Sequence, residues 1–78
     1  MARYFFDTRD GDAVIVDDEG LDLPDLAAAK ALAAKSLAEL ALEVLPGSTR
    51  RRLGVDVKNE EHEPVLTSEL TFEATVPA

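Results

Sequence analysis

The chain has 78 residues, 46% of them apolar, and sixteen acidic side chains against eight basic ones, for a formal charge of −8. That length holds one domain, near the lower limit for a self-sufficient core. The acid excess excludes nucleic acid as a partner, because such affinity comes from neutralising phosphates, and the lack of cysteine excludes disulfides, thiolate metal sites and thiol nucleophiles.

Residues 3–9 alternate aromatic, β-branched and charged side chains, which predicts a strand with Tyr4, Phe6 and Thr8 on one face and Phe5, Asp7 and Arg9 on the other. Three of the four aromatic residues sit here, so this strand is expected to supply much of the large-volume packing. Asp10-Gly11-Asp12 predicts a turn, and residues 13–17 a second short strand, Val14 and Val16 sharing a face, paired with the first as a hairpin. Residues 17–24 read as a polar loop.

Asp25 is placed to cap a helix over residues 26–45, its carboxylate meeting an orphan N–H at the positive end of the dipole. Leu26, Ala29, Ala33, Leu37, Leu40 and Val44 recur at spacings of three and four as one apolar stripe. Eight alanines between Ala27 and Ala41 let the helix approach a sheet closely, and Pro46-Gly47 stops it. Leu32 and Leu42 lie off the stripe, toward solvent; exposed leucines of this kind are ordinary, and a second contact surface is the sharper alternative.

Leu53, Val55 and Val57 alternate with polar residues and Gly54 as a half-buried strand, residues 59–64 are turn-like, and residues 65–75 form the last strand. In that strand Leu66, Leu70 and Phe72 share a face, with Val65, Thr67, Glu69, Thr71 and Glu73 opposite. The predicted fold is α+β, in the order ββαββ: a four-stranded antiparallel sheet with one long helix packed on one face. A right-handed crossover places the first strand between the second and third, a spatial order of 2-1-3-4. The uncovered face then carries Phe5, Ile15 and Val65 among charges, where a homodimer contact and shielding by the chain termini or by neighbouring long side chains are alternative expectations.

Chemistry has few footholds. Asp7, Asp10, Asp12, Asp17, Asp18, Glu19, Asp22 and Asp25 fall within nineteen positions. Clustered oxygens suit Ca²⁺ or Mg²⁺, but the spacing matches no EF-hand loop, and turn-forming, capping and solubilising roles account for them. His62, between Glu61 and Glu63, reads as an exposed turn residue. Arg50, Arg51 and Arg52 read as a solvated loop, with grip on an anion or acidic partner as the alternative. No serine sits in a Gly-x-Ser-x-Gly elbow, and the four glycines are too scattered to cradle phosphate. No catalytic residue, metal ligand or cofactor is assigned, and an enzyme reading has no positive support. No signal stretch or membrane span is read, since Lys30, Lys35, Glu39 and Glu43 interrupt the alanine-rich segment; the cytoplasm is the expected location and a membrane is not an expected partner.

Arg3-Tyr4-Phe5-Phe6, Arg9-Asp10-Gly11, Asp18-Glu19-Gly20 and Leu23-Pro24-Asp25-Leu26 ahead of an alanine-rich helix resemble a family of short uncharacterised proteins of rhizobia and related alphaproteobacteria, classed as a domain of unknown function. The resemblance covers roughly the first 45 residues well and afterwards is one of pattern. Many members have a histidine where this chain has Asp7, and an Asp-x-x-Gly-type turn where this chain has residues 59–64. The resemblance implies an intracellular bacterial protein of the fold above, with no known activity and no catalytic residue to carry over.

The leading expectation is a non-enzymatic protein-interaction module that self-associates through the open sheet face, the last strand's edge or the helix flank, with Phe5, Ile15, Leu32, Leu42 and Val65 as the candidate surface. The alternative is an antitoxin-like regulatory domain that binds a basic partner protein, a fold-level analogy. A divalent-metal-binding protein built on the acidic segment is the third reading.

Overall fold

Three strands, one helix and two further strands follow along the chain as β1 (Ala2–Asp10), β2 (Ala13–Ile15), β3 (Leu21–Leu23), α1 (Leu26–Val44), β4 (Arg50–Lys58) and β5 (Pro64–Glu73), in a computed structural model that describes residues 1–77. The antiparallel sheet runs β2-β1-β4-β5, so β1 does lie between the strand it turns into and the strand that follows the helix. The strand count differs from expectation. Leu21–Leu23, inside the stretch read as loop, pairs with Ala2, Arg3 and Tyr4, and β3 therefore shares the outer edge of β1 with β2, which pairs with Thr8, Arg9 and Asp10. Three residues are too few for alternation to separate a strand from a loop.

The β1–β2 turn needs Gly11, whose φ is +60° and whose N–H donates to the carbonyl of Arg52 at 2.9 Å. Strand β2 is shorter than expected, ending at Ile15, and leaves Val14, Ile15 and Val16 all exposed.

Asp25 caps α1 as its chemistry dictates, in extended conformation (φ −162°, ψ 177°) and accepting the N–H of Ala28 at 2.9 Å. The buried ridge of α1 is Ala29, Ala33, Leu37 and Ala41, one residue every four; Leu40 and Val44 flank it, and Leu26 is exposed. A 3-10 turn over Leu45–Gly47 closes the helix, and the Ser48 hydroxyl donates to the Val44 carbonyl at 2.6 Å. Both central alanines are fully shielded, so the helix backbone rides close on the sheet, where a larger side chain has no room.

Beneath it Tyr4, Leu53, Val55 and Val57 complete the core. The largest fully buried side chains are Leu53, Val55 and Val57. Strand β4, paired on both sides, therefore carries the fully buried large side chains, and the aromatic strand contributes Tyr4 and, at its margin, Phe6. Between Val57 and Lys58 the β4–β5 register shifts: Val57 opposes Leu66 and Lys58 opposes Pro64. The extra residue in that bulge is Val65, which packs against the core instead of standing on the charged face with Thr67 and Glu69.

Candidate functional site

The face of the sheet away from α1 is a layer of ion pairs. The Arg9 guanidinium lies across Gly54 and grips Asp56 with two nitrogens, at 2.6 and 3.2 Å, while a third reaches Glu69 at 3.3 Å. A Cβ at residue 54 would strike that guanidinium, so glycine here makes room for the charge that closes the face. Hydrogen bonding from Arg9 holds the Asp56 carboxyl below the usual range. Arg50 pairs with Glu73 at 3.2 Å and Arg52 with Glu69 at 3.8 Å. These arginines begin β4 and do not form a loop: the Arg50-Arg51-Arg52 run is spread over alternate faces of a strand, and Arg51 meets Asp10 on the helix side at 2.7 Å.

Phe5 lies on this charged face but is half-covered by its own chain. Its ring stacks on His62 with centroids 4.8 Å apart, and the backbone of Gly20 presses on it closely enough that a Cβ there would stand 3.0 Å from the ring. His62 is an exposed turn residue in the left-handed region (φ +61°), inside a turn whose Glu61 and Glu63 N–H groups donate to the Asn59 side chain.

The acidic concentration resolves into separate tasks. Asp7 is 5% exposed, receives Lys58 Nζ at 2.9 Å and accepts the N–H of Asp17 at 3.0 Å. Asp17 accepts the N–H groups of Phe6 (3.0 Å), Glu19 (3.1 Å) and Gly20 (3.1 Å). Burial pushes its pKa up, the donors from Phe6, Gly20 and Glu19 pull it down, and the net direction is downward. Asp10 and Asp22 are each held below the ordinary value by a hydrogen-bonded arginine, Arg51 and Arg3 respectively. Asp25 caps the helix. No three acidic or histidine side chains converge as a metal-holding group among the described residues.

Besides the exposed valines and isoleucine near β2, an apolar surface lies at the opposite margin. A groove of about 600 Å³ runs between the C-terminal half of α1 and β5, lined by Ala38, Leu42, Leu45, Pro46, Leu70 and Phe72. Leu42 is 79% exposed on its rim. The helix packs on β4 and β5, and the small side chains of Ala38 and Ala41 leave its flank above β5 shallow. Strand β5 is the end of the sheet, so its outer edge has no pairing strand among the described residues.

Of the five residues singled out from sequence, Leu42 alone lines this groove. Leu32 is half-buried in α1, not solvent-facing, and Val65 belongs to the core margin. Ile15 opposes Thr8, which opposes Val55, so it stands on the helix side of the sheet, beyond the helix and 71% exposed. Sequence reasoning missed Ala38, Leu45 and Pro46 as surface. The available signal was the run Ala38-x-x-x-Leu42-x-x-Leu45, a second helical stripe offset from the first.

No helix among the described residues is long and apolar enough to cross a membrane. A family model described as Domain of unknown function (DUF6894) matches residues 3–71, so the likeness extends through β4 and most of β5 rather than fading after the helix. No curated protein and no solved structure matches the chain significantly.

Proposed function

We propose, for a chain that belongs to the DUF6894 family, that it is a non-enzymatic protein-interaction module whose docking surface is the α1–β5 groove with the adjoining free edge of β5. The observation that carries this reading is the groove itself: Leu42 stands exposed beside Ala38, Leu45 and Phe72. Contiguous apolar surface of this kind on a small domain marks a contact site. An unpaired edge strand beside it adds a row of backbone donors and acceptors that a partner strand can use. The charged face is the weaker candidate, since its arginines already hold carboxylates of the same chain and Phe5 is half-covered by His62 and Gly20.

The test is Leu42→Glu, which at an exposed helical position leaves the fold intact by circular dichroism. Every complex formed by the wild-type chain, with itself or another protein, is expected to be lost in the variant. Complexes unchanged by the substitution, or a wild-type chain that forms none, overturn the reading.

A further inference from the structure

The two edges of the sheet are built differently. Along the outer edge of β1 the ladder is broken into two three-residue strands, with Asp17 gathering backbone N–H groups in the gap. An incoming strand finds no continuous row there, a common device against edge pairing. Strand β5 is ten residues long and keeps regular register with β4 from Leu66 to Glu73. One edge is guarded and the other left open, with an apolar groove beside it.

Building on the interaction reading above, we propose that the occupant is a second copy of this chain, its β5 pairing antiparallel with the first about a two-fold axis that passes through Leu70. A two-fold perpendicular to the sheet puts both helices on one side and sets each residue opposite one of the same face, so one residue of β5 must face its own copy. Charge selects which. Centring on Glu69 sets that carboxylate against itself, and centring on Thr71 sets Glu69 against Glu73; like charges directly opposite are unfavourable. Centring on Ser68 sets Glu73 against Glu63 and Phe72 against Pro64, which has no N–H to give. Centring on Phe72 keeps only Thr71, Phe72 and Glu73 of β5 in the pairing, because the strand ends at Glu73. Centring on Leu70 pairs residues 67–73 and sets Glu69 against Thr71 and Glu73 against Thr67. On the helix side Leu70 then meets Leu70 and Phe72 meets Ser68, and the two grooves join so that each Leu42 loses its solvent.

The net charge of −8 on each copy also separates this partner from a basic one. Screening relieves repulsion between like-charged copies and weakens attraction to a basic protein. Self-association is therefore expected to tighten with added salt.

Because the chain has no cysteine, single-cysteine variants of the full-length protein report the register directly. Thr71 and Thr67 are both exposed on β5, so Thr71→Cys and Thr67→Cys should fold. Each Thr71 lies two residues along the strand from its copy, about 7 Å, and each Thr67 lies six, about 20 Å. A bismaleimide long enough for the first span and too short for the second is expected to give covalent dimer from Thr71→Cys and none from Thr67→Cys. Sedimentation is expected to show a dimer that tightens with salt and is lost in Leu42→Glu. Dimer covalently trapped through Thr67, a dimer indifferent to Leu42→Glu or weakened by salt, or a chain monomeric at high concentration each overturns the proposal. If a monomeric chain still forms Leu42-dependent complexes with a basic protein, the interaction reading survives and only the second copy is lost.

Discussion

Asp7 and Asp17 fasten each other's segments: Asp7 accepts the backbone N–H of Asp17 at 3.0 Å, and Asp17 accepts that of Phe6, the residue before Asp7, at 3.0 Å. Two carboxylates close together would repel, yet each is directed at an N–H group on the other's segment. Lys58 neutralises the buried one at 2.9 Å. The interlock ties β1 to the loop that positions β3.

Asp17→Ala removes the acceptor for three N–H groups at once. Hydrogen bonds to a charged group are worth more than neutral ones, and the expected loss is about 2 kcal/mol. Urea denaturation measures it. Asp17→Asn retains the oxygen that serves Glu19 and Gly20 and should lose about half as much; equal losses in the two variants would refute the assignment.

Lys58→Met leaves Asp7 buried without its counter-charge, at an expected cost of about 2 kcal/mol, reduced from a fully buried pair because Lys58 is partly exposed. Adding Asp7→Asn, which keeps an acceptor for the Asp17 N–H and removes the charge, should recover much of that loss. A double-mutant cycle reads the coupling, and strict additivity would show that the pair does not act together.

Ala33→Leu forces a large side chain under a fully shielded helix position and is expected to cost about 1–3 kcal/mol through displacement of α1 from β4. Its neighbour Ala34 is exposed, and Ala34→Leu should stay within about 0.5 kcal/mol of wild type. Thermal melts of the two variants side by side make the comparison.

Acid should unfold the chain. Asp10, Asp17, Asp22 and Asp56 are all held below their ordinary value in the folded state. The unfolded chain, with aspartates near about 3.9, then binds more protons in that window, and stability rises with pH there. The contribution is complete above the unfolded value and is lost as pH falls through the folded ones. Denaturation midpoints are expected to hold from about pH 7 to about pH 5 and to drop below about pH 4. A smaller drop in Asp17→Asn than in wild type would assign part of the effect to that carboxylate.

Local chemistry was enough to read most of the elements. Asp25 before an apolar periodicity, Gly11 between two aspartates, and Leu53, Val55 and Val57 at alternate positions each specify their conformation from neighbours a few residues away, because capping, positive φ and side-chain alternation are local properties. The α+β class and the place of β1 between β2 and β4 followed from that pattern and from the handedness of the crossover. Other features depended on partners remote in sequence. Arg9 over Gly54, Arg3 on Asp22 and Lys58 on Asp7 join residues that only strand register brings together, so the acidic segment could be counted but not apportioned. Val65 moved to the core through a bulge that no periodicity announces. The groove, too, was decided by tertiary structure. The sequence marked Leu42 as an apolar residue off the main stripe; only the packing of a narrow alanine ridge over β4 left Leu42 exposed and Leu70 and Phe72 half-covered beside a free edge, since which surface stays open depends on where the helix comes to rest.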